Sequence, residues 1–414
     1  MFKQYFKQVI YQLKENKLIS WISILGTAFS IAIIMVMVIL FQIRNANYRP
    51  EVNRDRTLYV QFGERFWKNT QNINSRNFKL SGEVIQECFY PLTQAEAVCA
   101  IAWNSKALAI PGKDEWLSGQ VSFTDAEFWK IFDFEFLSGK PFTKADYMSG
   151  ISKIVLTDEM ARKLYQTTDV VGKTLYMQSV LYTVCGVVRK CSKWAQFAYA
   201  DAYAPYSSGG VWMGEGMEGP CSCLILAPDK DSFEKIRQEV DILVERYNQK
   251  QSEQVLGLRG QPYTHFQQQF FVWDSQMPHV AKNVTRYTII LVILLLVPAI
   301  NLSGLSLSRM RRRMQEIGIR RSFGASKWQI VSQVLNENLL FTLMGGILGI
   351  LFSYLSIYLM NDWLLDSDPY ISAEMVASPT IFILAFLFCL ILNLLSAGIP
   401  AWLVAKKDIT DILR

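Results

Sequence analysis

Four apolar blocks without a charged residue constrain this chain more than any other feature: residues 18–43, 287–307, 339–360 and 380–404. A helix needs about 20 apolar residues to cross the hydrocarbon core of a bilayer, and each block reaches that length. An unpaired charge in hydrocarbon costs several kcal/mol, so uncharged blocks of this size read as membrane spans rather than as core helices of a soluble protein. Composition agrees, with 51% hydrophobic and only 19% charged residues. The first block exceeds the ~7–15 residues of a signal-peptide core, and no small-x-small site follows it, so it reads as an uncleaved anchor.

Charge orients the spans. Lys3, Lys7, Lys14 and Lys17 precede the first block. Arg309, Arg311, Arg312, Arg313, Arg320, Arg321 and Lys327 follow the second, and Lys406, Lys407 and Arg414 follow the fourth. The segment after the third block carries Asp362, Asp366, Asp368 and Glu374 instead. Positive residues concentrate on the cytoplasmic side. The expected fold class is therefore a membrane α-helical protein with four transmembrane helices and a large α+β extracytoplasmic domain inserted between helices 1 and 2. The net charge of +6 reflects topology and gives no reason to invoke nucleic acid.

The expected organisation is an amphipathic surface helix (1–17), span 1 (18–43), an exported α+β domain (44–284), and span 2 with a stalk (285–314). There follow a loop with the start of helix 3 (315–338), span 3 (339–360), a short periplasmic loop (361–379), span 4 (380–404) and a tail (405–414). Both termini and the 309–338 loop face the cytoplasm in this scheme, and the membrane is the bacterial inner one.

Within the exported region, alternation predicts a half-buried strand at 57–62, and short strand-like runs predict strands at 98–103, 107–110, 119–123, 152–156, 175–177, 182–188, 221–226 and 267–272. Helices are predicted over 81–98 with a break at Pro91, over 126–132 after a Thr124-Asp125 cap, from Thr157 to 164, and over 231–247. In the last of these Phe233, Ile236, Val240, Leu243 and Tyr247 share a face.

Chemistry-bearing constellations are few. Gly172-Lys173-Thr174 lacks the glycine five positions earlier that a phosphate loop requires, and reads as a turn into a strand. Asp158-Glu159 suits a helix N-terminal turn, and Asp366/Asp368 a solvated loop. His265 and His279 have no partner motif. No catalytic residue and no metal site is assigned, and no cofactor is expected on this chain. Cys88, Cys99, Cys185, Cys191, Cys221 and Cys223 fall in the exported region, where disulfides and free buried thiols stand as equal readings. Pro298 inside span 2 marks a kink or hinge.

The loop after span 2 carries the most informative pattern. Gly318 and Gly324 bracket the basic segment Ile319-Arg320-Arg321-Ser322-Phe323, which reads as a short exposed helix that a partner can grip. Glu316, Ile317, Gly318, Arg320, Arg321, Phe323, Gly324 and Ala325, with Asn301 upstream and Glu337 downstream, resemble the signature of FtsX-like permeases. The Pro400-Ala401 pair and the Leu413-Arg414 finish are similar to the end of that family. Residues 121–132, 137–142, 172–175 and 184–188 resemble the MacB-type periplasmic domain.

The resemblance implies the permease subunit of a mechanotransmission ABC transporter. Its partners would be a cytoplasmic ATPase that holds the ATP and Mg, a second permease subunit (homo- or heterodimer), the lipid bilayer and, for efflux, a periplasmic adaptor with an outer-membrane channel. The eight residues from Glu316 to Ala325 named above would form the coupling helix in the ATPase groove. Gly345, Gly346 and Gly349 in span 3 form a small-residue face for close helix packing. No ATPase motif occurs here, unlike MacB-type members in which the ATPase is fused to the permease. An FtsX-like regulator of cell-wall hydrolases and a lipoprotein-releasing permease are the alternatives within the family. A membrane sensor or receptor is the rival class, disfavoured by the lack of a cytoplasmic signalling domain, and a membrane enzyme lacks a catalytic constellation.

Overall fold

The structure, a computed structural model, describes residues 17–67, 77–270 and 327–359, with individual positions between 281 and 326 and between 383 and 402. The chain divides into two compact units, one built on Arg44–Val280 and the other on Met1–Ile43 with most of the chain after Ala281. The amphipathic 1–16 segment, most of spans 2 and 4, the 361–379 loop and the tail lie outside the described residues.

In the exported unit thirteen strands are described. They are β1 (Thr57–Val60), β2 (Gly63–Trp67), β3 (Asn77–Phe78), β4 (Ala97–Ala109), β5 (Trp116–Thr124), β6 (Phe136–Gly139) and β7 (Lys153–Thr157). The rest are β8 (Thr174–Met177), β9 (Val180–Val188), β10 (Ala202–Pro205), β11 (Cys221–Leu226), β12 (Gln254–Gly257) and β13 (Tyr263–Thr264). Ten strands form one sheet in the order β13-β1-β11-β4-β5-β10-β7-β9-β6, with β8 hydrogen-bonded to both β4 and β9. That double pairing closes a ring: β4 to β5, β10, β7, β9, β8 and back to β4. A ring of six strands is narrow enough for side chains to fill it. Leu108, Val121, Phe123, Ile154, Leu156, Leu175, Met177, Tyr182 and Val184, contributed by its strands, are all buried in one hydrophobic core. β11, β1 and β13 extend the sheet beyond β4, and the helices Gly82–Cys88 and Phe233–Lys250 add Val84, Ile85, Ile236, Val240 and Tyr247 to the same core. The architecture is α+β, as expected.

Local chemistry sets the element ends. The Ser81 hydroxyl accepts the Val84 N–H, and the helix stops at Cys88, short of Pro91. The predicted 81–98 helix is therefore too long, because residues 97–98 already belong to β4. The two predicted strands at 98–103 and 107–110 are one strand. Thr157 caps Asp158–Tyr165 as expected. Gly172, at φ +84°, turns the chain into β8.

Two further expectations are corrected. Residues 267–268 are helical, not extended, because Thr264 and Gln267 form a reciprocal capping box that starts the helix His265–Gln268. Asp125 does not cap the following helix, which covers only Phe128–Ile131 behind Glu127. Its carboxylate is drawn inward instead, accepting the Tyr90 hydroxyl (2.7 Å) and the Ala100 N–H (3.0 Å).

In the membrane unit two described helices are long and apolar enough to cross a bilayer, within Lys17–Asn45 and Lys327–Leu359. Span 2 and span 4 fall where only individual positions are described.

Candidate functional site

The segment with the partner-gripping pattern begins at Ile319, a helical position whose carbonyl accepts the Phe323 N–H at 3.1 Å. Gly324 then adopts φ +90°, a left-handed conformation that costs a residue with a Cβ about 1–2 kcal/mol, and its open surroundings show that the glycine serves the turn. Two residues on, Ser326 and Gln329 form a second capping box: the Ser326 hydroxyl accepts the Gln329 N–H (3.2 Å) and the Gln329 side-chain carbonyl accepts the Ser326 N–H (2.8 Å). The helix Lys327–Leu359 starts there. The turn thus presents Phe323 almost entirely to solvent, at 88% exposure, with Ile319 half exposed. Glu316, Ile317, Gly318, Arg320, Arg321 and Ala325 lie outside the described residues.

The glycines of span 3 meet two other helices. A Cβ on Gly345 would sit 2.8 Å from the Thr27 Cβ, and one on Gly349 would sit 2.8 Å from the Ala28 carbonyl and 2.9 Å from the Ile31 Cβ. Partners advance together along both helices, so Lys17–Asn45 and Lys327–Leu359 pack in parallel. Gly346 faces the Phe386 ring, Leu335 lies 3.4 Å from a Cβ on Gly398, and the Trp328 and Trp402 rings meet at 5.7 Å, tilted by 57°. Here partners move in opposite directions, so the helical positions from Phe386 to Trp402 run antiparallel to Lys327–Leu359. Small residues bring helix backbones close where the surrounding solvent is as apolar as the side chains.

The exported unit holds its own charged centre where the chain enters it. Arg54 pairs with Glu51, with side chains 0% and 2% exposed. The Arg54 guanidinium also donates to the Tyr48 hydroxyl, the Ala46 carbonyl and the Trp194 carbonyl, and Glu51 accepts the Phe197 N–H. The Arg44 carbonyl bonds to His265 Nε2 at 2.7 Å and accepts the Gln269 side-chain amide at 3.2 Å. Nε2 is therefore the protonated nitrogen. Burial, and then the nearby Arg54 charge, push the His265 pKa down and keep the ring neutral.

Among the described residues of this unit the buried charged side chains are engaged with other side chains or with backbone. Lys190 is held charged between Glu159 and Asp201, and Lys163 completes an ion network around Glu159. Burial raises the Asp125 carboxyl to about 6, against its hydrogen bonds from Tyr90, Ala100, Cys99 and Glu127. None of the six exported cysteines is in a disulfide, in line with the thiol reading, and burial raises Cys185 to about 11 and Cys88 and Cys221 to about 12, which keeps these three protonated and unreactive. No cluster of metal-ligating side chains occurs among the described residues. His279, Asp366 and Asp368 lie outside them.

Sequence reasoning missed the Ser326–Gln329 box, the Trp328–Trp402 pair and the Arg54–Glu51 centre. The S-x-x-Q spacing was available as a signal for the first. The other two join residues far apart in sequence or bury charges that look solvated.

Comparison with known proteins places these two units. Residues 20–243 match the MacB-like periplasmic core domain, and residues 288–409 match the FtsX-like permease C-terminal region. The uncharacterised ABC transporter permease YknZ of Bacillus subtilis is 22% identical over 322 residues, covering 76% of this chain and 74% of YknZ. The macrolide export ATP-binding/permease protein MacB of Escherichia coli K12 is 26% identical over 308 residues, which is 72% of this chain but only 43% of MacB. Among solved structures, the extracellular domain of YknZ from Gram-positive bacteria is similar with TM-score 0.36 and 16% identity, over 49% of this chain and 99% of that domain. The periplasmic region of MacB from Actinobacillus actinomycetemcomitans gives TM-score 0.35 and 14% identity, over 49% and 90%. With a periplasmic core domain matched over more than half its length and the FtsX-like region following it, the chain belongs to the ABC transporter permeases of the MacB type.

Proposed function

We propose that this chain is the transmembrane subunit of an ABC transporter in which a separate ATPase drives movement of the exported domain. The turn Ile319–Gly324 is the observation that carries the reading. It projects a bare Phe323 from the head of a membrane helix, inside the FtsX-like region and within a basic segment. Such a turn suits a groove on a partner, and a helix continuous with it suits the transfer of a rigid-body displacement. Glu316, Ile317, Gly318, Arg320, Arg321, Phe323, Gly324 and Ala325 form the contact, with ATP and Mg bound by the partner.

The parallel packing of Lys17–Asn45 and Lys327–Leu359 supports four spans. Two parallel spans need an odd number of crossings between them, which span 2 supplies if the exported domain precedes it. Charge then puts both termini in the cytoplasm of a bacterial inner membrane. The permease pairs with a second permease subunit. Similarity to the MacB export proteins favours efflux of a periplasmic or membrane-associated substrate, with a periplasmic adaptor and an outer-membrane channel as further partners.

The test is a gentle-detergent co-purification of the tagged chain with its ATPase. Gly324→Pro or Glu316→Arg is expected to abolish association while the chain still inserts. ATPase retained at the normal level by both variants would overturn the assignment of the contact.

A further inference from the structure

We infer that the ATPase seat extends past the turn onto an aromatic ledge made by Trp328 and Trp402, so that the motor grips the end of span 4 as well as the head of span 3. The inference rests on the reading above. The two rings meet at 5.7 Å in a tilted contact, yet Trp328 remains 69% exposed and Trp402 45% exposed.

Position along the helices separates this ledge from the lipid. Since Thr27 lies beside Gly345 and Ile31 beside Gly349, Leu18, the first apolar residue of span 1, stands level with Asn336. Span 3 itself turns apolar at Leu339, so two spans agree on the inner edge of the hydrocarbon. Trp328 is eight residues beyond Asn336, about 12 Å farther out at 1.5 Å per residue. The headgroup layer is only about 5–7 Å deep on each side. Gln329, Ser332 and Asn336 place polar groups along the intervening turns, alongside Ile330, Val331, Val334 and Leu335.

On span 4, Gly398 is level with Leu335, so Trp402, four residues on, stands past the same edge. An aromatic pair held beyond the membrane edge, on helices that need no such pair to pack, fits a protein surface better than a bilayer. The occupant is the ATPase, because the family works with one and the ledge is continuous through the Ser326 cap with the exposed Phe323. In sequence Lys327 adjoins Trp328 and Lys406 follows Trp402 by four residues, so the matching groove is apolar at its centre and acidic at its edge.

The test uses inside-out vesicles carrying the full chain, to which its purified ATPase is added. Trp328→Ala and Trp402→Ala are each expected to weaken ATPase binding roughly tenfold or more, as for central tryptophan anchors, while Trp402→Phe stays near the parent. In Trp402→Cys the new thiol is expected to react with a membrane-impermeant maleimide and to be protected by added ATPase, the exported cysteines being sealed inside the vesicle. Normal ATPase binding by both alanine variants, with Gly324→Pro still losing it, would overturn the ledge and leave the coupling turn intact. A thiol unreactive with or without ATPase would place the pair in lipid and also overturn the ledge. A thiol equally reactive in both states would do the same. Binding undiminished in Gly324→Pro would instead reject the underlying reading.

Discussion

The two units of this chain solve the same problem, holding elements together, with opposite chemistry. The exported unit faces water and uses a filled six-stranded ring, cysteines and aromatics in its core, and buried charges such as Arg54–Glu51 and Arg259–Glu64. In the membrane unit apolar burial gains nothing against lipid, so the described contacts rely on glycines that admit neighbouring backbones and side chains. The difference teaches where each unit is vulnerable. A charge removed from the exported unit leaves an orphan, whereas a methyl group added to the membrane unit forces helices apart.

The largest expected effect follows from the first half of that contrast. Glu51→Ala leaves the Arg54 guanidinium buried without its carboxylate, and breaking such a pair costs about 3–5 kcal/mol. The double replacement Arg54→Met with Glu51→Leu is expected to recover most of that loss, since no buried charge remains. Thermal unfolding of the full chain, followed by protease susceptibility of the exported region, reads both. Equal loss in the single and double variants would mean that shape rather than charge carries the centre.

Asp125 sharpens the same point by titration. Its folded carboxyl is raised to about 6, so the folded state holds its proton more tightly than the unfolded state. Stability from this group is therefore present below about pH 4 and is lost as pH rises towards 6. His265 works in the other direction: its lowered pKa removes stability as pH falls below its unfolded value of about 6.5. Asp125→Asn is expected to flatten the Asp125 contribution between about pH 4 and 6. At neutral pH it should lose about 1–3 kcal/mol, because an amide cannot accept from both Ala100 and Glu127. Unfolding midpoints measured across that pH range check both statements.

The membrane unit is tested by volume. Gly349→Leu places a side chain where a Cβ alone would lie 2.8 Å from the Ala28 carbonyl, and overpacking of this kind costs about 1–3 kcal/mol. The unfolding midpoint in detergent should drop, and Ala28→Gly is expected to restore none of it because the obstacle is backbone. A melting curve for Gly349→Leu that matches the parent would show that the helices separate there without cost.

How much of this was legible in the sequence divides along the same line. Spans 1 and 3 and the elements 57–60, 153–157, 158–165, 221–226 and 233–250 announce themselves by local pattern, the strands as short apolar runs buried on both faces and the helices 158–165 and 233–250 by one apolar face. The ring was not legible, because it depends on β8 pairing with two strands, one of them far away in sequence. Nothing in the local sequence marks Arg54 and Glu51 for burial; the fold encloses them. Asp125 read as a helix cap because the spacing fits. Only the tertiary approach of Tyr90 and the Ala100 N–H shows that its carboxylate turns inward. At the turn Ile319–Gly324 the glycine punctuation was visible, but the Trp328–Trp402 pairing needed the antiparallel approach of two helices.

The smallest expected effect falls at the junction between the turn and span 3, where the membrane unit adopts a device of the exported one. Ser326 and Gln329 satisfy orphan donors at the head of Lys327–Leu359 in the same way that Thr264 and Gln267 do for His265–Gln268. Ser326→Ala removes one acceptor and is expected to cost about 1 kcal/mol. That penalty is small beside the packing of a 33-residue helix, so the global unfolding midpoint should barely move. Fraying should instead be confined to the first turn, with faster amide exchange over residues 326–330 and a modestly weaker hold on the ATPase if the turn is its seat. Faster exchange spreading to residues 342–349 would mean that the cap stabilises the span itself, and that the two units are less different than their packing suggests.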